Sequence, residues 1–271
     1  MKKKSILALL LVLAIALSLL AGCNQGGGSS TLIVGASPVP HSEILEFIKE
    51  MMAEEGVELQ IVEYTDYVQP NLATESGDVD ANFFQHVPYM NNFNAEHGTT
   101  LVSVFPVHFE PLGLYKARTH SIAELQEGAI IAIPHEPTNS ARALALLEAT
   151  GLITLRDGAG VSATKLDIVD NQLNLDIQEL EAAQIPHVLP DVDMAVINGN
   201  FALQAGLEME RDAVAAEDKS SLSAQTYANP IVVKSGNEND ERILTLIRIL
   251  NSSEVRDFIN NKYEGRVVPV F

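Results

Sequence analysis

The sequence predicts an α/β protein of two lobes, each a largely parallel sheet flanked by helices. Three observations predict it. Short apolar runs alternate with amphipathic segments from Thr31 onward, the pattern of parallel strands joined by right-handed helical crossovers. The alternation restarts at Leu112, as though a second sheet begins there. A late apolar run followed by two amphipathic segments closes the chain and reads as a return to the first sheet.

Each element has its own local reason. Residues 31–37, TLIVGAS, are apolar without a break, as a strand buried on both faces should be. Residues 41–56 carry Ile44, Leu45, Phe47, Ile48, Met51 and Met52 at helical spacing, with Ser42 as candidate N-cap and Gly56 as the stop. Residues 57–64 are the next strand, a short helix starts near Pro70, VDANFFQ is strand, PYMNNFNAEHG helix and TLVSVFPV strand. In the second set, residues 112–117 are a strand, SIAELQEG a turn or two of helix capped by Ser121, residues 129–134 a buried strand and residues 138–151 a helix. LDIVD, IQELEA and DMAVIN read as three more strands, and FALQAGL as helix. ANPIVVK is the returning strand, DERILTLIRILNS and SEVRDFINNKY are amphipathic helices, and VVPVF ends the chain. Crossings near residues 109–113 and 227–230 set lobe 1 at 31–110 plus 229–271 and lobe 2 at 111–228.

The N-terminus has a different character. Lys2, Lys3 and Lys4 precede an apolar run, residues 6–20, broken only by Ser18, and then LAGC. About 15 apolar residues are short for a membrane span and right for a secretory h-region. Cys23 after Ala21 and Gly22 resembles a bacterial lipobox, in which residues 1–22 are removed as a signal peptide and Cys23 is lipidated. An ordinary signal peptide with a chance cysteine is the alternative. Residues 23–30 then serve as a flexible tether. Cys23 is the single cysteine of 271 residues, so the body of the chain has no disulfide, thiolate ligand or thiol nucleophile. Net charge is −19, and −22 without the three leader lysines. So acidic a body argues against nucleic acid and against flat docking on anionic lipid.

Ligands of open α/β sheets sit at the carboxyl ends of strands and between domains. Three such ends carry polar or aromatic tips: FFQH, IPHEPTN and VINGN. Arg142 falls in the first turn of a helix whose other residues are nearly all apolar. A cation there opposes the helix dipole and needs an anion. Either a ligand carboxylate held bidentately supplies it, or an internal acid such as Glu136 or Asp157. Asn198, Asn200 and Asn229 sit at strand ends or crossings, where asparagine either turns the chain or offers its amide to a ligand. Tyr67, Phe84, His86 and Tyr89 form either an aromatic wall or ordinary packing with a cap histidine. Phe83 and Phe84 face opposite sides of a strand, so at least one is core. The seven histidines show no HxH or HExxH spacing, and no GxSxG or glycine-rich phosphate loop is present.

TDYVQPN, GDVDANFFQHVPYM, AIPHEPTNSARALALLEATGLI, DMAVIN and VVPVF together resemble the NlpA/MetQ family of methionine-binding lipoproteins of bacterial ABC importers. The resemblance spans residues 32–271. It implies a type II periplasmic-binding-protein fold with no enzymatic activity and no cofactor, closing on an amino acid, L-methionine first, and delivering it to a permease and its ATPase. It implies a lipid anchor on the extracytoplasmic face of the cell membrane. It also implies that Tyr67, Phe84, His86 and Tyr89 line the side-chain pocket, that Arg142 clamps the carboxylate, and that Asn198 and Asn229 complete the site. His135-Glu136, INGNF and HFEPLGLY depart from the family's usual residues, and leave D-methionine, a methionine dipeptide or another apolar amino acid open as ligand. A metal-binding lipoprotein is the reading from a different class.

Overall fold

The structure is a computed structural model and describes residues 30–218 and 225–271. The expected signal peptide, Cys23 and all of the tether but Ser30 lie outside the described residues. Strand β1 (Thr31–Ala36) leads into helix α1 (Glu43–Glu54), β2 (Glu58–Glu63), α2 (Gln69–Ser76), β3 (Ala81–Phe83), α3 (Val87–His97) and β4 (Leu101–Phe109). The middle of the chain builds β5 (Gly113–Lys116), β6 (Ile130–Pro134), α4 (Pro137–Ala149), β7 (Thr154–Leu155), β8 (Ile168–Asp170), β9 (Asp176–Leu180), β10 (Met194–Ile197), α5 (Gly199–Gln204), α6 (Met209–Asp212) and β11 (Ala213–Ala216). Strand β12 (Asn229–Lys234), α7 (Glu241–Leu250), α8 (Ser253–Tyr263) and β13 (Val268–Pro269) finish it.

Two sheets result. The first has the order β13-β4-β12-β3-β1-β2, and the second β11-β5-β10-β6-β9. The chain thus passes from the first sheet to the second after Phe109 and re-enters the first at Asn229. Both sheets are mixed. Strands β1 and β3 pair in parallel, as do β10 with β6 and β6 with β9. Strand β12 runs antiparallel to β3 and β4, and β5 antiparallel to β10 and β11. Strands β5 and β12 are each preceded along the chain by a strand of the other sheet, and not by a helical crossover from a strand of their own sheet. Parallel pairing needs such a crossover and antiparallel pairing does not.

The core follows from the sequence periods. Met194 and Val196 of β10 pack on one face of the second sheet, Ala195 and Ile197 on the other. That two-sided burial is why DMAVIN reads as an unbroken apolar run. Helix α4 covers one face with Ala143, Leu144 and Leu147. Each fully buried leucine there contributes about 1.5–3 kcal/mol. Over the first sheet, α1 buries Ile44, Leu45, Ile48 and Met52, and α7 buries Ile243, Leu246, Ile249 and Leu250.

Some local expectations change. Ser42 and Ser121 occupy N-cap positions but make no capping side-chain bond. Ser42 is already helical, because residues 38–42 turn into α1 as a wider π-type turn. Strand β3 stops at Phe83, which frees Phe84–His86 from the ladder. A run of 3-10 turns over Ala182–Asp191, interrupted by Pro186 and Pro190, and the short β11 have no clear counterpart in the sequence pattern.

Candidate functional site

The ring cluster begins where β3 ends. Alternation sends Phe83 into the core of the first sheet and Phe84 to the opposite side. Phe84 packs with Tyr67 at 5.7 Å and Tyr89 at 6.1 Å between ring centres, and Tyr67 lies 5.0 Å from Phe201. The segment after β3 is pinned by buried amides. Gln85 donates to Asn71 Oδ1 at 2.5 Å and to Asn82 Oδ1 at 2.8 Å.

His86 is both a helix cap and a wall residue. Its Nδ1 accepts the Tyr89 backbone N–H at 3.1 Å, so Nε2 carries the proton and donates to Asn139 Oδ1 at 3.0 Å. Burial and the nearby Arg142 charge lower its pKa from 6.5 to about 3, so it stays neutral. Asn139 stands at the start of α4 and also accepts from Asn198 Nδ2 at 3.3 Å. The Tyr67 hydroxyl donates to Asn200 Oδ1 at 2.6 Å, and the Tyr89 hydroxyl to Tyr67 O at 2.8 Å. The Tyr67–Asn200 and His86–Asn139 bonds therefore tie residues around the first sheet to residues around the second.

Arg142 is buried as the sequence suggested, but in the second turn of α4 and not the first, and its anion is neither Glu136 nor Asp157. Nε donates to Glu217 Oε1 at 2.6 Å and Nη2 to Glu217 Oε2 at 2.5 Å; Nη2 also donates to the Glu110 carbonyl at 2.8 Å. Glu217 is held by the Leu112 N–H at 2.8 Å. The rings of Tyr227 and Phe109 lie 4.5 and 5.5 Å from the guanidinium carbon. The two-point edge is thus occupied by Glu217. Nη1 is the end without a hydrogen bond among the described residues. The expected bidentate clamp on a ligand becomes at most a one-point contact in this arrangement.

The seven residues that the family resemblance implied, Tyr67, Phe84, His86, Tyr89, Arg142, Asn198 and Asn229, line one cavity. Its void is ≈ 350 Å³ counted with its open mouth, but a water's centre can occupy only ≈ 20 Å³ of it. The walls must part to admit anything larger than a few waters. Gln85, Glu110, Asn139 and Gly199 complete the lining with Asn200, and the sequence did not single those four out. Asn139 could have been suspected from the exposed N–H groups of a helix start; Glu110 had no local signal. Asn198 Oδ1 and Asn200 Nδ2 are buried with no hydrogen-bond partner among the described residues. Such atoms are costly unless something pairs with them. His135 and Glu136 line a neighbouring hollow instead, and the Glu136 carboxylate accepts from the Ala182 N–H at 3.3 Å.

The chain matches the family model described as NlpA lipoprotein over residues 32–271. It is 45% identical over 266 residues to membrane lipoprotein TpN32 of Treponema pallidum, covering 98% of this chain and 97% of that one. It is 38% identical over 253 residues to D-methionine-binding lipoprotein MetQ of Salmonella typhimurium, covering 92% of each. The solved structure of a nutrient binding protein from Burkholderia cenocepacia bound to methionine superposes with a TM-score of 0.83 at 40% identity, covering 89% of this chain and 100% of that one.

Proposed function

This chain belongs to the NlpA lipoprotein family, whose members are substrate-binding proteins of ABC transporters and not enzymes, and we propose that it takes L-methionine into the cavity between its two sheets and delivers it to a permease driven by an ATPase. The convergence of the seven residues on one narrow cavity carries this reading. Burying a methionine side chain among Tyr67, Phe84 and Tyr89 is worth about 1.5–3 kcal/mol, and sulfur–ring contact adds roughly 0.3–1.5 kcal/mol. Arg142 Nη1 and the amides of Asn198 and Asn229 meet the zwitterion. The small void favours a single amino acid over a dipeptide.

Lobe 1 comprises 31–110 with 229–271, and lobe 2 comprises 111–228. Closure rests on the Tyr67–Asn200 and His86–Asn139 bonds, which exist only when the lobes meet, and on the ligand's greater affinity for that state. Residues 1–22 are the signal peptide and 23–30 the tether. Cys23 carries the lipid that holds the protein at the extracytoplasmic face of the cell membrane; no helix of the described residues is long and apolar enough to cross one.

Native mass spectrometry of protein purified from rich medium tests the ligand. A bound mass equal to methionine, with calorimetric binding of L-methionine tighter than of D-methionine or a methionine dipeptide, is the expected result. Binding of neither methionine enantiomer would overturn the assignment.

A further inference from the structure

We infer that the cavity recognises its ligand chiefly by a free ammonium group, received by the buried Glu110 carboxylate, and only secondarily by the carboxylate. This rests on the amino-acid reading above and deepens it.

The charge arrangement is the first ground. Arg142 is the cation of the cavity wall, and Glu217 already neutralises it through two hydrogen bonds at 2.6 and 2.5 Å. Glu110 lines the same cavity, is 5% exposed, and has no Lys or Arg side chain bonded to its carboxylate among the described residues. The charge left to a ligand is therefore negative.

The second ground is how Glu110 is held. Its Oε1 lies 2.8 Å from His108 Nε2 and 3.3 Å from His41 Nε2, and both rings are fully buried. His41 Nδ1 lies 2.7 Å from the Ser37 hydroxyl and accepts from it, so the ring proton sits on Nε2. His108 Nδ1 has no partner among the described residues, so its proton also belongs on Nε2, toward Glu110. His108 thus donates its N–H to Glu110 Oε1, while the His41 Nε2–H goes to Asn229 Oδ1 at 3.3 Å with Glu110 equally near; both neutral rings favour the ionised carboxyl without cancelling its charge. The Asn200 backbone N–H acts in the same direction. Burial nonetheless pushes the carboxyl above its ordinary value, and these neighbours with the Arg142 charge offset only part of that. An ammonium would offset the remainder.

The third ground is what lines the wall beside it. Gly199 presses against Glu110: a Cβ there would lie 2.7 Å from Glu110 Cβ and 3.0 Å from Oε2. Asn198, the preceding residue, brings its Oδ1, unpartnered among the described residues, to the same wall. An ammonium has three donors and no acceptor. A carboxylate and an amide oxygen are the partners it needs.

The test is titration calorimetry of the wild-type chain with L-methionine, L-methioninamide, N-acetyl-L-methionine and 4-(methylthio)butanoate, repeated with the leucine series. Methioninamide should bind within about 10-fold of methionine. The two ligands without an ammonium should bind roughly 100-fold more weakly or worse, as sites built around a polar group reject analogues that lack it. Glu110→Gln should shrink that gap to about 10-fold or less. The wild-type ranking decides alone if the variant fails to fold. Retained binding of the N-acetyl or deaminated ligand with loss of the amide would overturn the inference while leaving the methionine reading intact. The same amine dependence in the leucine series with no methionine binding would overturn that reading and sustain this one. No binding in either series would overturn both.

Discussion

The Arg142–Glu217 pair allows a quantitative test of how the site is built. Arg142 is buried and Glu217 partly so, at 5% and 11% exposure, and they share two hydrogen bonds. Removing one partner of such a pair leaves a charge in a poorly solvated place, at about 3–5 kcal/mol. Arg142→Ala strands the Glu217 carboxylate with the Leu112 N–H, and also loses the ring contacts to Tyr227 and Phe109. Glu217→Ala strands the guanidinium with the Glu110 carbonyl and those rings. At roughly 2–4 °C per kcal/mol for a domain of this size, each single variant should melt roughly 6–20 °C lower. The double variant removes both charges together, so it should be about 2 kcal/mol or more better than the sum of the singles. Urea unfolding of ligand-free protein, with unchanged slope in denaturant, measures this. Losses that add to within about 0.5 kcal/mol would mean that the pair does not form in solution. The same Arg142→Ala variant should lower L-methionine affinity by roughly 10-fold, about 1.4 kcal/mol, because only the single Nη1 contact to the ligand is lost.

Three further outcomes are expected. Tyr67→Ala and Phe84→Ala should flatten the ranking of methionine over other apolar amino acids more than they weaken binding overall; an unchanged calorimetric ranking in both would remove the ring pocket. Burial lowers His41, His86 and His108 from 6.5 to about 3. The unfolded chain binds these protons first, so the stability they contribute is present above pH 6.5 and lost as pH falls toward 3, at up to about 1.4 kcal/mol per pH unit for each ring. The raised Glu110 carboxyl acts in the opposite sense near and above its ordinary value. The urea midpoint should therefore be clearly lower at pH 5 than at pH 7, and an equal midpoint would contradict the buried neutral rings. Gly199→Ala sets a Cβ 2.7 Å from Glu110 Cβ and should cost about 1–3 kcal/mol by overpacking, read as a lower melting temperature; an unshifted melt would contradict the close approach.

Much of this protein follows from local sequence. Period-3.6 and unbroken apolar runs mark α1, α4, α7, α8, β1, β6 and β10, because burial on one stripe or on two faces leaves its pattern in neighbouring residues. Arg142 stood out because a cation in an apolar first turn breaks that pattern. The four-residue β11 and the proline-interrupted turns of Ala182–Asp191 did not stand out, since too few residues share a period. The partners are of another kind. Glu217 is 75 positions from Arg142, and His41 lies far along the chain from His108 and Glu110. Charge pairing acts through a few ångströms of space and leaves no spacing rule along the backbone. The chain alone thus determined which surfaces are buried and which ends carry polar tips, while only the folded molecule decided which acid meets which base and so which charge faces the cavity.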